Sequence, residues 1–363
     1  MWRFHNPVRV RFGAGAIEEV GALVAGRPYC LVTYDEPAFA EISARIRATA
    51  GNPAILIDDV QPNPDFSNLT ELCARYGEAR PAPRVIVAVG GGSVMDSAKV
   101  LAVADGDFSR VSRHLEQRGA EDRREAVPII AVPTTAGTGS EMTCWGTVWH
   151  AEAGRKYSLS RSDLYAEWAV VDPELTLGAP RSLTVATGLD ALSHALESLW
   201  NVNHNPVSGA LAVAAAREMI ETLPRLVDDL GNLDLRTRVA KAALLAGLAF
   251  SNTKTALAHN ISYPITLRHG IPHGLACSFS LPMVMRSAVG ASAECDAALA
   301  AIFDGDLKRG ADRLEGFLAS LGVSVETADY GISEAEWREI VEEAFRGERG
   351  RNFIGAKDGF LSR

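Results

Sequence analysis

Five short apolar runs in the first half of the chain constrain its fold more than any other feature. They are Pro28–Thr33 (PYCLVT), Ala54–Ile57 (AILI), Arg84–Val89 (RVIVAV), Ile129–Val132 (IIAV) and Ala169–Val171. Each is brief, aliphatic or β-branched, and bounded by Gly, Pro or Asp. Such runs suit strands buried on both faces of a parallel sheet. Helical stretches, Glu36–Thr49 and Asn68–Gly77 among them, lie between the runs and imply βαβ units. After about Leu177 the strand signal fades. Thr187–Trp200, Pro206–Asp229, Leu235–Ala258, Leu307–Leu321 and Ser333–Arg346 carry helical length and periodicity. The last has Ser333 as its cap and Glu336 three residues on. The pattern predicts an α/β N-terminal domain with a Rossmann-like parallel sheet over residues 1–177. An all-α C-terminal domain is expected over residues 178–363. A length of 363 residues fits this division, since domains run at roughly 150 residues.

Charge and composition exclude several functions. The formal charge of −9 provides no global basic field, so a nucleic-acid partner is not expected. No apolar run is long enough to span a bilayer, and the start, MWRFHNPVRVRFG, lacks a signal peptide's apolar core. The five cysteines are scattered and form no CxxC, which fits a reducing compartment. A cytoplasmic protein is the expectation. Arg110–Arg124 mixes charges and reads as a solvated loop or helix face.

Arg84–Lys99 reads RVIVAVGGGSVMDSAK, a buried strand running into glycines and then a helix. Glycine lets backbone N–H groups approach an anion closely, and a helix N-terminus adds partial positive charge there. A diphosphate is the natural guest, although the spacing is not GxGxxG. A tight turn without a ligand is the other reading. A second strand leads into PTTAGTGSE, where Thr134, Thr135, Thr138 and Ser140 can donate to phosphate, ribose or carboxamide. Two such loops at strand C-termini suggest a nucleotide crevice. Asp35, just after the strand ending LVT, can bond a ribose 2′-hydroxyl and repel a 2′-phosphate, which favours NAD over NADP. It can equally be a helix cap.

The second half carries a different constellation. In GLDALSHALE, Asp190 and His194 are four apart and share a helix face. His259 follows at the end of a long apolar helix, and His273 lies in RHGIPHGLA. One carboxylate and three imidazoles make a credible site for a first-row divalent metal. Their apolar company strengthens it, because a buried Asp or His needs a partner. His269, four before His273, can face the same cavity. His5, His114, His150 and His204 are expected to face solvent.

Together these motifs resemble the iron-containing (group III) alcohol dehydrogenase family. The match runs from GAGA at Gly13–Ala16 to at least Leu281, through GGGSVMDSAK, PTTAGTGSE, DPELTLGAP, GLDALSHALE and HGIPHG. The resemblance implies a dehydroquinate synthase-like architecture: a dinucleotide-binding α/β domain, a helical metal-binding domain and an active site in the cleft. It implies Asp190, His194, His259 and His273 as ligands of Fe2+, with Zn2+ an alternative. It puts Gly91, Gly92, Ser93 and Asp96 at the cofactor diphosphate. Thr134, Thr135, Thr138 and Ser140 would lie along the cofactor, with Lys156 and Leu175 nearby and His269 beside the nicotinamide. The implied reaction is NAD(P)H-dependent reduction of a small aldehyde to a primary alcohol by a homodimer.

Two stretches depart from the commonest family pattern. Met142–His150 carries Trp145 and Trp149, and His259–Pro264 (HNISYP) replaces an HPLG-like ending. SLW at Ser198–Trp200 and Ser251–Pro264 resemble the subgroup that reduces phosphonoacetaldehyde to 2-hydroxyethylphosphonate in phosphonate natural-product pathways. A phosphonate dianion needs fixed cations or donors. Asn252, Lys254 and Arg268 are the first candidates, with Arg155 and Arg161 behind them. A general short-chain alcohol dehydrogenase, a dehydroquinate synthase-like lyase or cyclase, and a silent nucleotide-binding protein are the competing readings. The intact metal pattern argues against the last two.

Overall fold

The computed structural model describes residues 1–117 and 125–357. The second part of the Arg110–Arg124 run, residues 118–124, therefore lies outside the described residues. The chain divides into two compact units. One comprises Asn6–Thr135 and Ser140–Gly178, the other Met1–His5, Ala136–Gly139 and Ala179–Arg363.

The α/β unit runs β1 (Arg9–Phe12), α1 (Val20–Val24), β2 (Tyr29–Val32), α2 (Pro37–Ala50), β3 (Ile55–Ile57) and α3 (Phe66–Glu78). It continues through β4 (Val85–Gly90), α4 (Gly92–Ala104), α5 (Phe108–Gln117), β5 (Ile129–Pro133), β6 (Trp145–His150), β7 (Arg155–Ser160) and β8 (Trp168–Val171). Six strands form a parallel sheet in the order β1-β8-β5-β4-β2-β3. The strands read as continuous apolar runs because both faces are covered. Cys30, Val32, Ile86 and Ala88 point into one core with α3 and α4. Tyr29, Leu31, Val85, Val87 and Val89 point into the other with α1 and α2. β2 has β3 on one side and β4 on the other. The chain thus reverses its winding between β2 and β4, where open α/β sheets form their ligand crevice.

Two parts of this unit differ from expectation. β1 (RVRF) is an edge strand that its arginines disguise; Arg9 and Arg11 lie over the Trp168 ring at 4.6 and 4.7 Å. The Trp-bearing stretch is strand β6, paired antiparallel with β7 in a hairpin outside the main sheet.

The helical unit contains α6 (Arg181–Leu199), α7 (Pro206–Asp228), α8 (Leu233–Thr253), α9 (Leu257–His269) and α10 (His273–Ser278). It ends with α11 (Leu281–Ala288), α12 (Ala293–Ile302), α13 (Leu307–Ser320) and α14 (Glu334–Arg346). One hydrophobic core joins them. From Gly188 to Leu199, α6 is buried on every side, as a central helix must be. Asn205 caps α7 with a reciprocal capping box, and Ser333 accepts from the Glu336 N–H to cap α14.

The single helix expected over Leu235–Ala258 is two. α8 stops at Thr253, and Lys254 turns the chain at φ +63°. His259 therefore sits in the first turn of α9 and not at the end of a long helix. Three of the histidines expected in solvent, His114, His150 and His204, are partly buried. His150 packs edge-on to Phe66 at 4.4 Å, and His204 Nδ1 lies 3.1 Å from the Ser198 carbonyl. Among the described residues, no helix is long and apolar enough to cross a membrane.

Candidate metal centre and dinucleotide loops

Asp190 Oδ1 is the focus of the helical unit's polar interior. It is buried and makes no hydrogen bond. Three imidazole Nε2 atoms surround it: His259 at 3.5 Å, His194 at 3.8 Å and His273 at 3.9 Å. His194 and His259 Nε2 are 3.0 Å apart. Nitrogen and oxygen donors bound tetrahedrally to one ion at about 2.1 Å lie roughly 3.4 Å from each other. The separations bracket that value, and a cation would satisfy the orphaned oxygen. The four residues assigned from the sequence thus converge, and they fit a divalent metal.

Local structure explains the convergence. Asp190 and His194 are one turn apart on α6, and Phe250 of α8 stacks on the His194 ring at 4.0 Å. His273 opens α10, which lies hard against α6. A Cβ at Gly274 would sit 1.8 Å from the Ala186 carbonyl oxygen. The glycine after His273 is what lets the two helices approach.

Sequence reading missed Glu197, which is fully buried. Its Oε2 accepts from His259 Nδ1 at 2.5 Å and from the Ala256 N–H at 3.0 Å. Its Oε1 accepts from the N–H groups of Ala258 and His259. Glu197 therefore caps α9 from another helix and orients His259 with Nε2 facing Asp190. The signal was present: Asp190, His194 and Glu197 follow a 0, 4, 7 spacing along one helix face.

The charges interlock. Burial opposes ionisation of Asp190, but His194, His273 and His259 outweigh it and hold the carboxyl well below its usual range. Burial pushes the His194 imidazole down to about 4. For His259 burial also disfavours charge, but Cys277, Glu197 and Asp190 overcome it and raise the group well above its ordinary value.

In the α/β unit, β4 leads into Gly91, which is extended and N-caps α4 without any side-chain cap. The first-turn N–H groups of α4 are thus presented at the β2/β4 switch point. Asp35 is exposed just beyond β2, and α2 has Glu36, not Asp35, at its cap position. Ser93 Oγ accepts from the Asn63 N–H at 3.1 Å. Thr134 is buried and donates its N–H to Gly90, while Thr135 flanks Gly91. Lys156 lies over the Trp149 ring at 5.3 Å, and Leu175 packs on the core. Thr138 belongs to the short Ala136–Gly139 stretch that clusters with the helical unit.

Asp96, expected at the diphosphate, has another set of partners. Its Oδ1 accepts from Ser140 Oγ at 3.2 Å, and its carboxylate takes the Thr147 N–H. Lys99 Nζ donates to Ser140 O, Ser140 Oγ, Thr143 Oγ1 and Trp145 O at 2.7–3.1 Å. Helix α4 thereby holds the second loop and the hairpin through its own side chains. Burial pushes Lys99 down to about 8 and Glu141 up to about 7.

His269 ends α9 with Nε2 2.9 Å from Glu336 Oε1, and Arg268 pairs with the same carboxylate at 3.7 Å. Lys254 is exposed at the α8–α9 turn. Asn252 accepts from the His5 N–H and donates to Leu248 and Ser251. Arg155 is exposed, and Arg161 pairs with Asp163.

Residues 7–173 match the family described as Iron-containing alcohol dehydrogenase, and residues 184–356 match its C-terminal region. The phosphonoacetaldehyde reductase of Streptomyces viridochromogenes is 35% identical over 312 residues, covering 81% of this chain and 77% of that protein. The 1,3-propanediol dehydrogenase of Klebsiella pneumoniae is 31% identical, covering 92% and 90%. The crystal structure of sulfoacetaldehyde reductase from Bifidobacterium kashiwanohense, in complex with NAD+, superposes with a TM-score of 0.91. That match is 29% identical and covers 99% of this chain and 96% of that one. The chain belongs to the iron-containing alcohol dehydrogenase family. Its parallel-sheet unit and helical unit are the fold expected from the sequence.

Proposed function

We propose that this chain is an iron- and NADH-dependent reductase of a two-carbon aldehyde with an anionic tail, phosphonoacetaldehyde first, yielding 2-hydroxyethylphosphonate. The observation that carries the reading is the buried, unbonded Asp190 Oδ1 ringed by His194, His259 and His273. These four residues would hold Fe2+, or Zn2+ in its place. When bound, the ion supplies a Lewis acid for the carbonyl oxygen, and the nicotinamide supplies the hydride. Gly91, Gly92 and Ser93 at the start of α4 receive the diphosphate. Asp35 favours an unmodified ribose, hence NADH over NADPH. His269, held by Glu336, hands over the proton that completes the alcohol. Residues 1–177 thus bind dinucleotide and residues 178–363 bind metal, in a cytoplasmic homodimer.

The substrate class is supported by two relatives. One is named for phosphonoacetaldehyde and one for sulfoacetaldehyde. Both compounds carry a tetrahedral oxoanion on the carbon next to the aldehyde. Lys254 is the first candidate cation, with Asn252 beside it; Arg268 is engaged by Glu336. A charge-assisted hydrogen bond of about 1.5–3 kcal/mol corresponds to a preference of roughly ten- to over a hundredfold. The test is kcat/KM for phosphonoacetaldehyde, sulfoacetaldehyde and propanal with NADH and NADPH after Fe2+ loading. The anionic aldehydes are expected to lead. A preference for propanal sinks the substrate assignment and leaves a general short-chain alcohol dehydrogenase.

A further inference from the structure

Cys277 stands outside the four residues assigned to the metal, yet its thiol is buried among them. We propose that Cys277 is a further metal donor, so that this centre offers sulfur beside nitrogen and oxygen. The inference rests on the metal-centre reading above and adds a ligand to it.

The placement is built into α10. His273 is its first residue and Cys277 lies one turn on, so both face the same side. Cys277 Sγ is 3.6 Å from His273 Nε2. One donor atom each from Asp190, His259, His273 and Cys277 lies within 4.8 Å of all the others. The unbonded Asp190 Oδ1 points into the same group. Other buried cysteines have ordinary reasons to be there. Cys30 and Cys73 pack in one apolar core of the sheet, and Cys295 packs in the helical core. Cys277 instead has His259 and Ser262 as polar neighbours. His194 and Cys277 flank a shared trio, so an ion can draw on either or both to complete its shell. The thiol binds as thiolate and releases its proton to solvent. A soft sulfur donor favours Zn2+ and Co2+ relative to a site of nitrogen and oxygen alone.

Cobalt reports sulfur directly. Full-length apoprotein is titrated with Co2+ without air, and binding is followed through the visible d–d bands. A near-ultraviolet sulfur-to-cobalt charge-transfer band is expected in the wild type and in Cys144→Ser. Cys277→Ser and Cys277→Ala are expected to lose that band while cobalt stays bound. In competition between Fe2+ and Zn2+, their preference for zinc should fall on the order of tenfold. Cobalt bound without the band, or the band surviving in both Cys277 variants, overturns the proposal while the four-residue centre stands. Failure to bind cobalt at all removes the metal-centre reading and this proposal together. The wild-type spectrum decides even if a variant fails to fold.

Discussion

Among the described residues no lysine or arginine pairs with Glu197; its carboxylate is taken up by three backbone N–H groups and the His259 ring. A carboxylate behind a metal-binding imidazole fixes its tautomer and raises its basicity. Glu197→Gln keeps the shape but turns an amide donor toward N–H groups that need acceptors. Metal affinity is expected to weaken roughly 10–100-fold, read by chelator competition on folded protein. Unchanged affinity would reduce Glu197 to a helix cap. Gly274 acts at the same scale by steric absence: any side chain there meets the Ala186 carbonyl, so His273 reaches Asp190 only because its neighbour has no Cβ.

At the scale of elements, the β4–α4 junction performs two jobs with different residues. Its backbone presents the helix N-terminus, while Asp96 and Lys99 reach back to tie down Ser140 and Trp145. Gly91 has the space for a side chain, since a Cβ there meets only Thr135 at 3.6 Å. Its φ of −84° suits other residues too. Gly91→Val should therefore fold, while its branched side chain blocks approach of a diphosphate. The expected outcome is a KM for NADH raised at least tenfold with metal content unchanged. A folded variant with an unaltered NADH KM would leave the loop as a turn alone. The α8–α9 break is likewise an element-scale device. Lys254 ends one helix and Glu197 starts the next, which brings His259 into the first turn.

At the scale of the whole molecule, pH dependence of stability exposes what burial costs. Glu141 is buried, and its carboxyl is raised from 4.5 to about 7. The folded state then binds its proton more tightly than the unfolded state. The resulting stabilisation is full below pH ~4.5 and is lost as pH rises through ~7. Glu141→Gln removes this dependence. The variant's Tm should fall less than the wild type's between those limits, by the equivalent of roughly 2–3 kcal/mol. Parallel Tm profiles would show that Glu141 is ionised and compensated throughout. Much of the architecture was readable in the chain. The apolar runs that became β2, β3, β4, β5 and β8 announced themselves because strands buried on both faces admit few polar residues. β1 did not, because an edge strand carries arginines, and the β6–β7 hairpin has no such pattern. Asp190, His194, His259 and His273 were legible because buried polar groups in apolar segments stand out. Glu197 and Cys277 escaped notice, though each sits at helical spacing from one of those four residues. Periodicity and residue chemistry by themselves determined the parallel sheet, the helical second half and the four residues that gather around Asp190 Oδ1. Only the tertiary structure decided that α8 stops at Thr253, that Asp96 holds a loop, and that Glu197 and Cys277 converge on His259 and His273. Those outcomes depend on which helices meet, and sequence spacing reports neighbours along one helix but not across two.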